Sequence, residues 1–302
     1  MGKLPKRQAL KFLKIRTLSP WNVPNTLGDK GAQFGIPFAY QKGTEPHTLT
    51  NAHKVRRHNF MKLVGGYTNY GQDIGVLMLD TIFPRIPGDI GNAKSYPNVH
   101  VRYKVVKDAF CGRVMGKDRD PELLRPFIQA AQELEAEGCK AITTSCGFLA
   151  NFQKELASAV HIPVFTSAIM LVPLVRAMIN PEQEIAIFTE RAWNLTENHF
   201  LQAGFSSKDI PVVVSGMPEG SPFPELFIGN NLSEDREVLQ SCMEELTRRH
   251  MAEHPNTGAI VFECTNFGPF SRYVQDIAKV PVFGINQLLE YIAACVDVRS
   301  YY

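Results

Sequence analysis

The sequence predicts an α/β protein with two similar lobes, each a parallel sheet flanked by helices, and a cleft between the lobes. Two observations lead to this prediction. Residues 141–165 and 259–283 align without a gap, and each runs from a short apolar segment through a cysteine and a helix-like stretch to Pro-Val-Phe. Short apolar runs also alternate with longer amphipathic stretches along most of the chain, which is the order expected of βαβ units.

Composition and charge narrow the class of protein. The chain has 302 residues and is 44% hydrophobic, which suffices for one large domain or two medium ones. No apolar run approaches the roughly 20 residues of a transmembrane helix, and the N-terminus lacks the apolar core of a secretory signal. We therefore expect a cytoplasmic protein that neither spans a membrane nor binds nucleic acid. Its six cysteines are expected to be free thiols.

Residues 1–72 are predicted to form a basic N-terminal extension. They carry 12 Lys and Arg against 2 Asp and Glu, whereas the whole chain carries 32 against 30. Residues 3–16 can form a short basic amphipathic helix that contacts a membrane surface or an acidic partner. We favour a solvated extension that packs on the body of the protein or on a second subunit, and we expect a homodimer.

The first lobe is predicted over residues 73–166. Its strands are indicated by short apolar or alternating runs, and its first helix by an Asp-Pro pair that suits the cap and the first helical position. In chain order the elements are a strand at Ile74–Leu79, a loop rich in Pro and Gly at 83–92, a strand at Val99–Val106, a helix from Pro121 to about Glu137, and the first repeat.

The second lobe is predicted over residues 167–284, and a last helix follows it. The same alternation of apolar runs and amphipathic stretches indicates its elements. In chain order these are a helix at Ser167–Asn180, strands at Glu184–Phe188 and Pro211–Val214 with a helix at Ala192–Ala203 between them, a helix at Glu234–His254, the second repeat, and the last helix at Asn286–Val296.

A cysteine stands at the same point of each repeat. Cys146 and Cys264 both follow a predicted strand and precede a predicted helix, which is where open α/β sheets bind ligands. Two thiols on opposite sides of a carbon can remove a proton from one face and return one to the other. The free N–H groups of the following helices can bind a carboxylate. We therefore predict that both thiols are catalytic and that the substrate is a small carboxylate. The remaining cysteines are interpreted as packing residues: Cys111, Cys139, Cys242 and Cys295.

Further residues of the predicted site follow strands or flank the cysteines. Alternation along the strand points Glu263 away from the cleft, so a salt bridge and tuning of the neighbouring thiol are equally open roles for it. No glycine-rich nucleotide fingerprint and no metal-ligand spacing is present, and we expect neither a cofactor nor a metal. The residues expected to bind substrate are Asp80, Thr81, Ser145, Gly147, Phe148, Thr189, Glu190, Thr265 and Asn266.

Residues 143–148 (TTSCGF) and 263–268 (ECTNFG) resemble the two catalytic motifs of the aspartate/glutamate/hydantoin racemase family. The loop at 80–92 resembles the segment after the first strand in an uncharacterised branch of that family. The resemblance implies a cofactor-independent racemase or epimerase, an isomerase that needs no pyridoxal phosphate. It would transfer protons between its two cysteines and a small amino acid such as aspartate or glutamate, or a related acid. It also implies that the C-terminal helix, within 285–302, packs back on the first lobe.

The motifs also depart from the family pattern. Gly147 and Phe148 stand where glutamate racemases have Asn-Thr, and Asn266 stands where they have His. The alternative is therefore a maleate-isomerase-like or decarboxylase-like enzyme that acts on a small dicarboxylate. A further alternative is a non-catalytic, two-lobed binder of small acids in which the cysteines only pack.

Overall fold

The computed structural model describes residues 63–115 and 120–301, so most of the predicted N-terminal extension, residues 1–62, lies outside the described residues. Within the described ranges the chain forms two four-stranded sheets, and every neighbouring pair of strands is parallel. The strands are β1 (Ile74–Leu79), β2 (Val101–Val106), β3 (Ala141–Thr144), β4 (Val164–Phe165), β5 (Glu184–Thr189), β6 (Val212–Gly216), β7 (Thr257–Phe262) and β8 (Val282–Phe283).

The two sheets have the same strand order. The first runs β2-β1-β3-β4 and the second runs β6-β5-β7-β8. Equivalent positions of the two sequence repeats also pair in the same way, since Ile142 pairs with Val164 in the first sheet and Ile260 pairs with Val282 in the second. The predicted α/β fold with two parallel sheets is therefore confirmed.

Helices flank both sheets. Gly75 in β1 leaves room for a neighbouring helix, because a Cβ at that position would lie 2.8 Å from the side chain of Leu134. The α-helices are α1 (Cys111–Val114), α2 (Pro121–Ala136), α3 (Gln153–Ala159), α4 (Val172–Met178), α5 (Glu197–Gln202), α6 (Pro222–Phe227), α7 (Arg236–Glu253), α8 (Ser271–Ala278) and α9 (Ile285–Val296). Short 3₁₀ turns cover Ala93–Ser95, Gly147–Phe152, Ala168–Leu171, Ala192–Asn194 and Thr265–Phe270.

Helix α2 begins and ends where the sequence predicts. The Asp120 side chain accepts a hydrogen bond of 2.9 Å from the N–H of Glu122, and Pro121 occupies the first helical position. Pro has no N–H to leave unsatisfied there, so it stabilises the start of the helix. Gly138 follows the helix with φ +95°, a left-handed conformation that glycine adopts without strain.

Two predicted helices are interrupted. The stretch Ser167–Asn180 forms a 3₁₀ turn and only then α4, because Pro173 near the start of α4 has no N–H to continue an α-helix from the preceding turn. The stretch Ala192–Ala203 is broken before α5. Thr196 has extended backbone angles there, and its N–H donates to His199 Nδ1 at 3.0 Å. Local capping therefore divides stretches that look continuous in sequence.

Ion pairs connect the start of β3 with the end of the chain. Lys140 lies 3.1 Å from Asp297, the residue after α9, and 3.1 Å from Asp73, the residue before β1. The lobe boundaries at 73–166 and 167–284 stay a prediction. No helix of the described ranges combines the length and the apolar character that crossing a bilayer requires.

Candidate active site

The carboxyl ends of strands from both sheets meet at one pocket. It contains about 350 Å³ of space outside atoms, part of it open to solvent. Three thiols, two carboxyl groups and several apolar side chains form its wall. The lining residues are Leu79, Phe83, Cys111, Met115, Ser145, Cys146, Gly147, Phe148, Glu190, Glu263, Cys264, Thr265 and Asn266. The predicted cleft is therefore present, and both repeated cysteines lie in it.

The backbone after each cysteine is a 3₁₀ turn rather than the α-helix that the sequence suggests. Gly147–Phe152 follows Cys146, and Thr265–Phe270 follows Cys264. The first N–H groups of such a turn have no carbonyl partner within it. A hydrogen bond of 2.8 Å from Thr265 Oγ1 to the carbonyl oxygen of Ser145 joins the two cysteine-bearing segments.

One of the two repeated cysteines is hydrogen-bonded to a carboxyl group. Cys264 Sγ donates to Glu190 Oε1 at 2.8 Å, and Asn266 Nδ2 donates to the same oxygen at 3.0 Å. Glu190 is 2% exposed, and its burial raises the pKa of the carboxyl group to about 7. Near neutral pH, Glu190 is therefore present both as the carboxylate and as the protonated acid.

The second carboxyl group of the pocket belongs to Glu263, which corrects the prediction that this residue points away from the cleft. Strand β7 ends at Phe262, so side-chain alternation no longer applies at the next residue. Thr189 Oγ1 donates to Glu263 Oε2 at 2.6 Å, and burial raises the pKa of Glu263 to about 8. Both carboxyl groups therefore lie in surroundings that disfavour their charged forms.

Burial also raises the pKa of the two repeated cysteines. It raises the pKa of Cys264 well above the usual value, and the charges of Glu190 and Glu263 act in the same direction. Burial likewise raises the pKa of Cys146, with Cys111 and Glu263 adding to the effect. Both thiols are therefore protonated at neutral pH, and a thiolate forms only where a neighbouring group accepts the proton.

The two halves of the pocket differ in chemistry although their backbones repeat. Glu190 follows β5, and Asp80 is its counterpart after β1. Asp80 turns away to Lys107, 3.5 Å distant, and its side chain is 39% exposed. Among the described residues no carboxyl group is hydrogen-bonded to Cys146. The pocket thus has one thiol–carboxyl pair rather than two.

Most of the residues that the sequence predicts to bind substrate reach the pocket. Those that line it are Ser145, Gly147, Phe148, Glu190, Thr265 and Asn266, together with both cysteines. Asp80, Thr81 and Thr189 do not line it. Asp80 faces Lys107, Thr81 accepts a hydrogen bond of 3.1 Å from Arg85, and Thr189 lies behind Glu263.

Five lining residues were missed from the sequence. The interpretation of Cys111 as a packing residue agrees with its burial, which raises its pKa to about 12, yet it also lines the pocket. One signal pointed to Glu263, because it occupies the position in the second repeat that Ser145 has in the first. The five are Leu79, Phe83, Cys111, Met115 and Glu263. Within the described ranges, no group of three or more His, Cys, Asp or Glu side chains is arranged to hold a metal ion.

Fold and site together define a two-lobed α/β protein with a buried thiol–carboxyl pocket. No model of a known protein family matches the chain. It is 30% identical over 214 residues to a dimethylsulfoniopropionate lyase of Durusdinium sp. clade D, a match that covers 70% of each protein. It is 28% identical over 232 residues to dimethylsulfoniopropionate lyase 7 of Emiliania huxleyi, covering 74% of this chain and 67% of that protein. The chain therefore belongs to the family of the dimethylsulfoniopropionate lyases.

A solved structure of a glutamate racemase from Bacillus anthracis superposes with a TM-score of 0.48 at 15% identity, covering 76% of this chain and 84% of that one. The expectation of an amino-acid racemase is wrong, because the two sequence relatives from Durusdinium and Emiliania huxleyi are named lyases, which are not isomerases. The decarboxylase-like alternative is closer, since decarboxylases are also lyases. The family resemblance is correct in its broad part, the two-lobed α/β fold.

Proposed function

We propose that this chain is a lyase that cleaves a carbon–sulfur bond of dimethylsulfoniopropionate. A base removes a proton from the carbon next to the carboxylate, and that electron pair forms a carbon–carbon double bond. The bond from the next carbon to sulfur breaks, its electrons stay on sulfur, and dimethyl sulfide and acrylate result. Because the sulfonium group leaves as a neutral sulfide, it needs no acid catalyst. The reaction therefore requires one base, in contrast to the two bases of a racemase.

The observation that carries this proposal is the single thiol–carboxyl pair. Cys264 Sγ lies 2.8 Å from Glu190 Oε1, whereas no carboxyl group of residues 63–115 and 120–301 is hydrogen-bonded to Cys146. Glu190, with a pKa of about 7, takes the thiol proton, and the resulting thiolate removes the proton of the substrate. Glu190 then releases its proton to solvent, which returns the pair to its starting state. Cys264 is the catalytic base, and Glu190 is its proton acceptor.

The rest of the pocket suits a small molecule with a carboxylate at one end and methyl groups at the other. The first N–H groups of the turns at Gly147–Phe152 and Thr265–Phe270 are proposed to bind the carboxylate. Apolar side chains receive the methyl groups and exclude water, and Cys146 contacts the substrate from the opposite wall. These side chains are Leu79, Phe83, Met115 and Phe148. Ser145 and Asn266 complete the proposed substrate site beside the two turns.

The proposed reaction needs no cofactor and has a small-molecule carboxylate as substrate. The location in the cytoplasm and the homodimer stay predictions. The direct test is to incubate the purified full chain with dimethylsulfoniopropionate and to measure dimethyl sulfide in the headspace and acrylate in solution. We expect equimolar products, and no exchange of the α-hydrogen of aspartate or glutamate in deuterated water. A folded protein that forms neither product would overturn the proposal.

A further inference from the structure

We propose that Glu263 recognises the positive charge of the substrate, so that the pocket selects a methylated onium group over a neutral group of the same shape. The identity of that onium group as a dimethylsulfonium rests on the proposed function. The preference for a cation rests on the pocket itself. Glu190 accepts the proton of Cys264, whereas Glu263 recognises the positive charge of the substrate.

Glu263 has one buried carboxylate oxygen without a hydrogen-bond partner among the described residues. Its side chain is buried, with the whole residue 1% exposed, and Oε2 accepts the hydrogen bond from Thr189. No donor from the described residues reaches Oε1. A Cβ at position 147 would lie 2.4 Å from this oxygen, so the glycine there gives Oε1 the space it occupies beside Cys146. Oε1 is thus held in place, and no described residue donates a hydrogen bond to it.

The pocket offers this carboxyl group no cation. Among the described residues, those that line the pocket include neither lysine nor arginine. The guanidinium of Arg85 lies behind the wall, where it pairs with Asp89 at 2.8 Å and stacks 4.4 Å from the ring centre of Phe83. A buried carboxylate without a counter-ion is costly, and this cost is the reason for its raised pKa. A substrate cation supplies the missing counter-ion and favours the ionised carboxylate.

The walls suit a cation that carries methyl groups rather than N–H donors. Phe83 and Phe148 are the aromatic residues of the lining, and Leu79 and Met115 are aliphatic residues of it. Onium methyl groups can pack on these surfaces while the charge faces the carboxylate and the rings. A neutral ligand of equal shape can pack its methyl groups on the same side chains, but it is not attracted electrostatically to the carboxylate. Shape alone therefore does not explain the selectivity that we propose.

The test uses two ligands of the same shape, neither of which carries the dimethylsulfonium leaving group. One is β-alanine betaine, which carries a trimethylammonium group, and the other is its carbon isostere, which carries a tert-butyl group. Their dissociation constants for the full chain are measured by calorimetry at about pH 9, above the pKa of Glu263. We expect the cation to bind at least about ten-fold more tightly than the isostere, since close charge pairs in buried sites contribute that much or more.

Three variants test whether Glu263 causes the preference for the cationic ligand. Glu263→Gln should bind both ligands within about three-fold of each other, and Glu263→Asp should recover part of the preference. Glu253→Gln, which removes an exposed charge at the far end of α7, is the matched control and should behave as wild type. Equal binding of the two ligands by the wild-type protein, a measurement that needs no variant, overturns the proposal. So does a preference that survives in folded Glu263→Gln.

The same measurements separate this inference from the proposed function. If the wild-type protein shows the cation preference and Glu263→Gln loses it, the inference stands even where dimethylsulfoniopropionate is not cleaved. If dimethylsulfoniopropionate is cleaved and the two ligands bind equally, the proposed function stands and the role of Glu263 is refuted. Trimethylamine is a poorer leaving group than dimethyl sulfide, and a tert-butyl group does not leave, so the two dissociation constants are measured without turnover of dimethylsulfoniopropionate.

Discussion

Thr265 Oγ1 donates a hydrogen bond of 2.8 Å to the backbone carbonyl of Ser145, residues 120 positions apart in sequence. The bond connects the residue after one cysteine with the residue before the other. Both partners are buried, so water cannot replace either of them. The contact therefore links the two cysteine-bearing segments directly.

Replacing Thr265 with valine keeps the shape and removes the donor. We expect the free energy of unfolding to fall by about 1–3 kcal/mol, because the Ser145 carbonyl is left without its partner. A fall of about 2–4 °C in Tm per kcal/mol follows for a domain of this size, and calorimetry measures it. Ser158→Ala removes an exposed hydroxyl that donates a hydrogen bond of 2.7 Å to the backbone carbonyl oxygen of Lys154, and it should cost less than about 0.5 kcal/mol. Equal Tm values for the two variants would contradict the role of this bond.

Gly147→Ala should damage catalysis. The added methyl group would lie 2.1 Å from the Glu263 carbonyl oxygen, so either the turn or the glutamate must move. Displacements of about 1 Å near a reacting group cost about 100-fold in rate, and we expect kcat/KM to fall by at least that factor. Gly66→Ala is the control, because no atom lies within 4 Å of its added methyl group. An unchanged kcat/KM in Gly147→Ala would show that the contact is not needed.

The dependence of kcat/KM on pH should report the proton acceptor of the thiol. Glu190 accepts a proton only when ionised, so kcat/KM should rise with pH through its pKa of about 7. We propose that ionised Glu263 binds the substrate cation. The value of kcat/KM should therefore continue to rise with pH through the Glu263 pKa of about 8. In Glu190→Gln we expect kcat/KM to fall by about 10²–10⁴-fold and the rise near pH 7 to vanish. A variant that keeps the wild-type profile would exclude Glu190 from proton transfer.

Stability should change with pH in the opposite direction. The folded-state pKa values of Glu190 and Glu263 lie above the unfolded value of about 4.3. Their contribution to stability is therefore complete below about pH 4 and is lost as pH rises through about 7 and 8. Glu263→Gln stays neutral, so its Tm should exceed that of the wild type by several degrees at about pH 9. At about pH 4, where the contribution is complete, the two should agree. A Tm difference that does not depend on pH would contradict the buried, protonated state of Glu263.

The fold could be predicted because the repeat carries its own pattern. Apolar runs that end in a cysteine, each followed by Pro-Val-Phe, mark β3, β4, β7 and β8 at equivalent positions. The turn geometry could not be predicted in the same way. Whether the residues after Cys146 and Cys264 form an α-helix or a 3₁₀ turn depends on tertiary contacts, such as the bond between Thr265 and Ser145.

The sequence repeat also led to a prediction of two equivalent catalytic bases, which the structure does not support. Two equivalent cysteines suggest two equivalent bases, and sequence spacing cannot show that Asp80 turns to Lys107 while Glu190 turns to Cys264. Nor can it show that Glu263 leaves the alternation of its strand and enters the pocket. These orientations are set by side chains distant in sequence, and they decide how many thiols can be activated.

The most direct test of the one-base elimination compares Cys264→Ala with Cys146→Ala, the same substitution at the other repeated cysteine of one pocket. The measurement is the rate of acrylate formation from dimethylsulfoniopropionate by each folded variant. We predict that Cys264→Ala lowers kcat by about 10²–10⁴-fold and that Cys146→Ala retains activity within about ten-fold of the wild type. Equal losses in the two variants, or the larger loss in Cys146→Ala, would contradict the assignment of Cys264 as the single base.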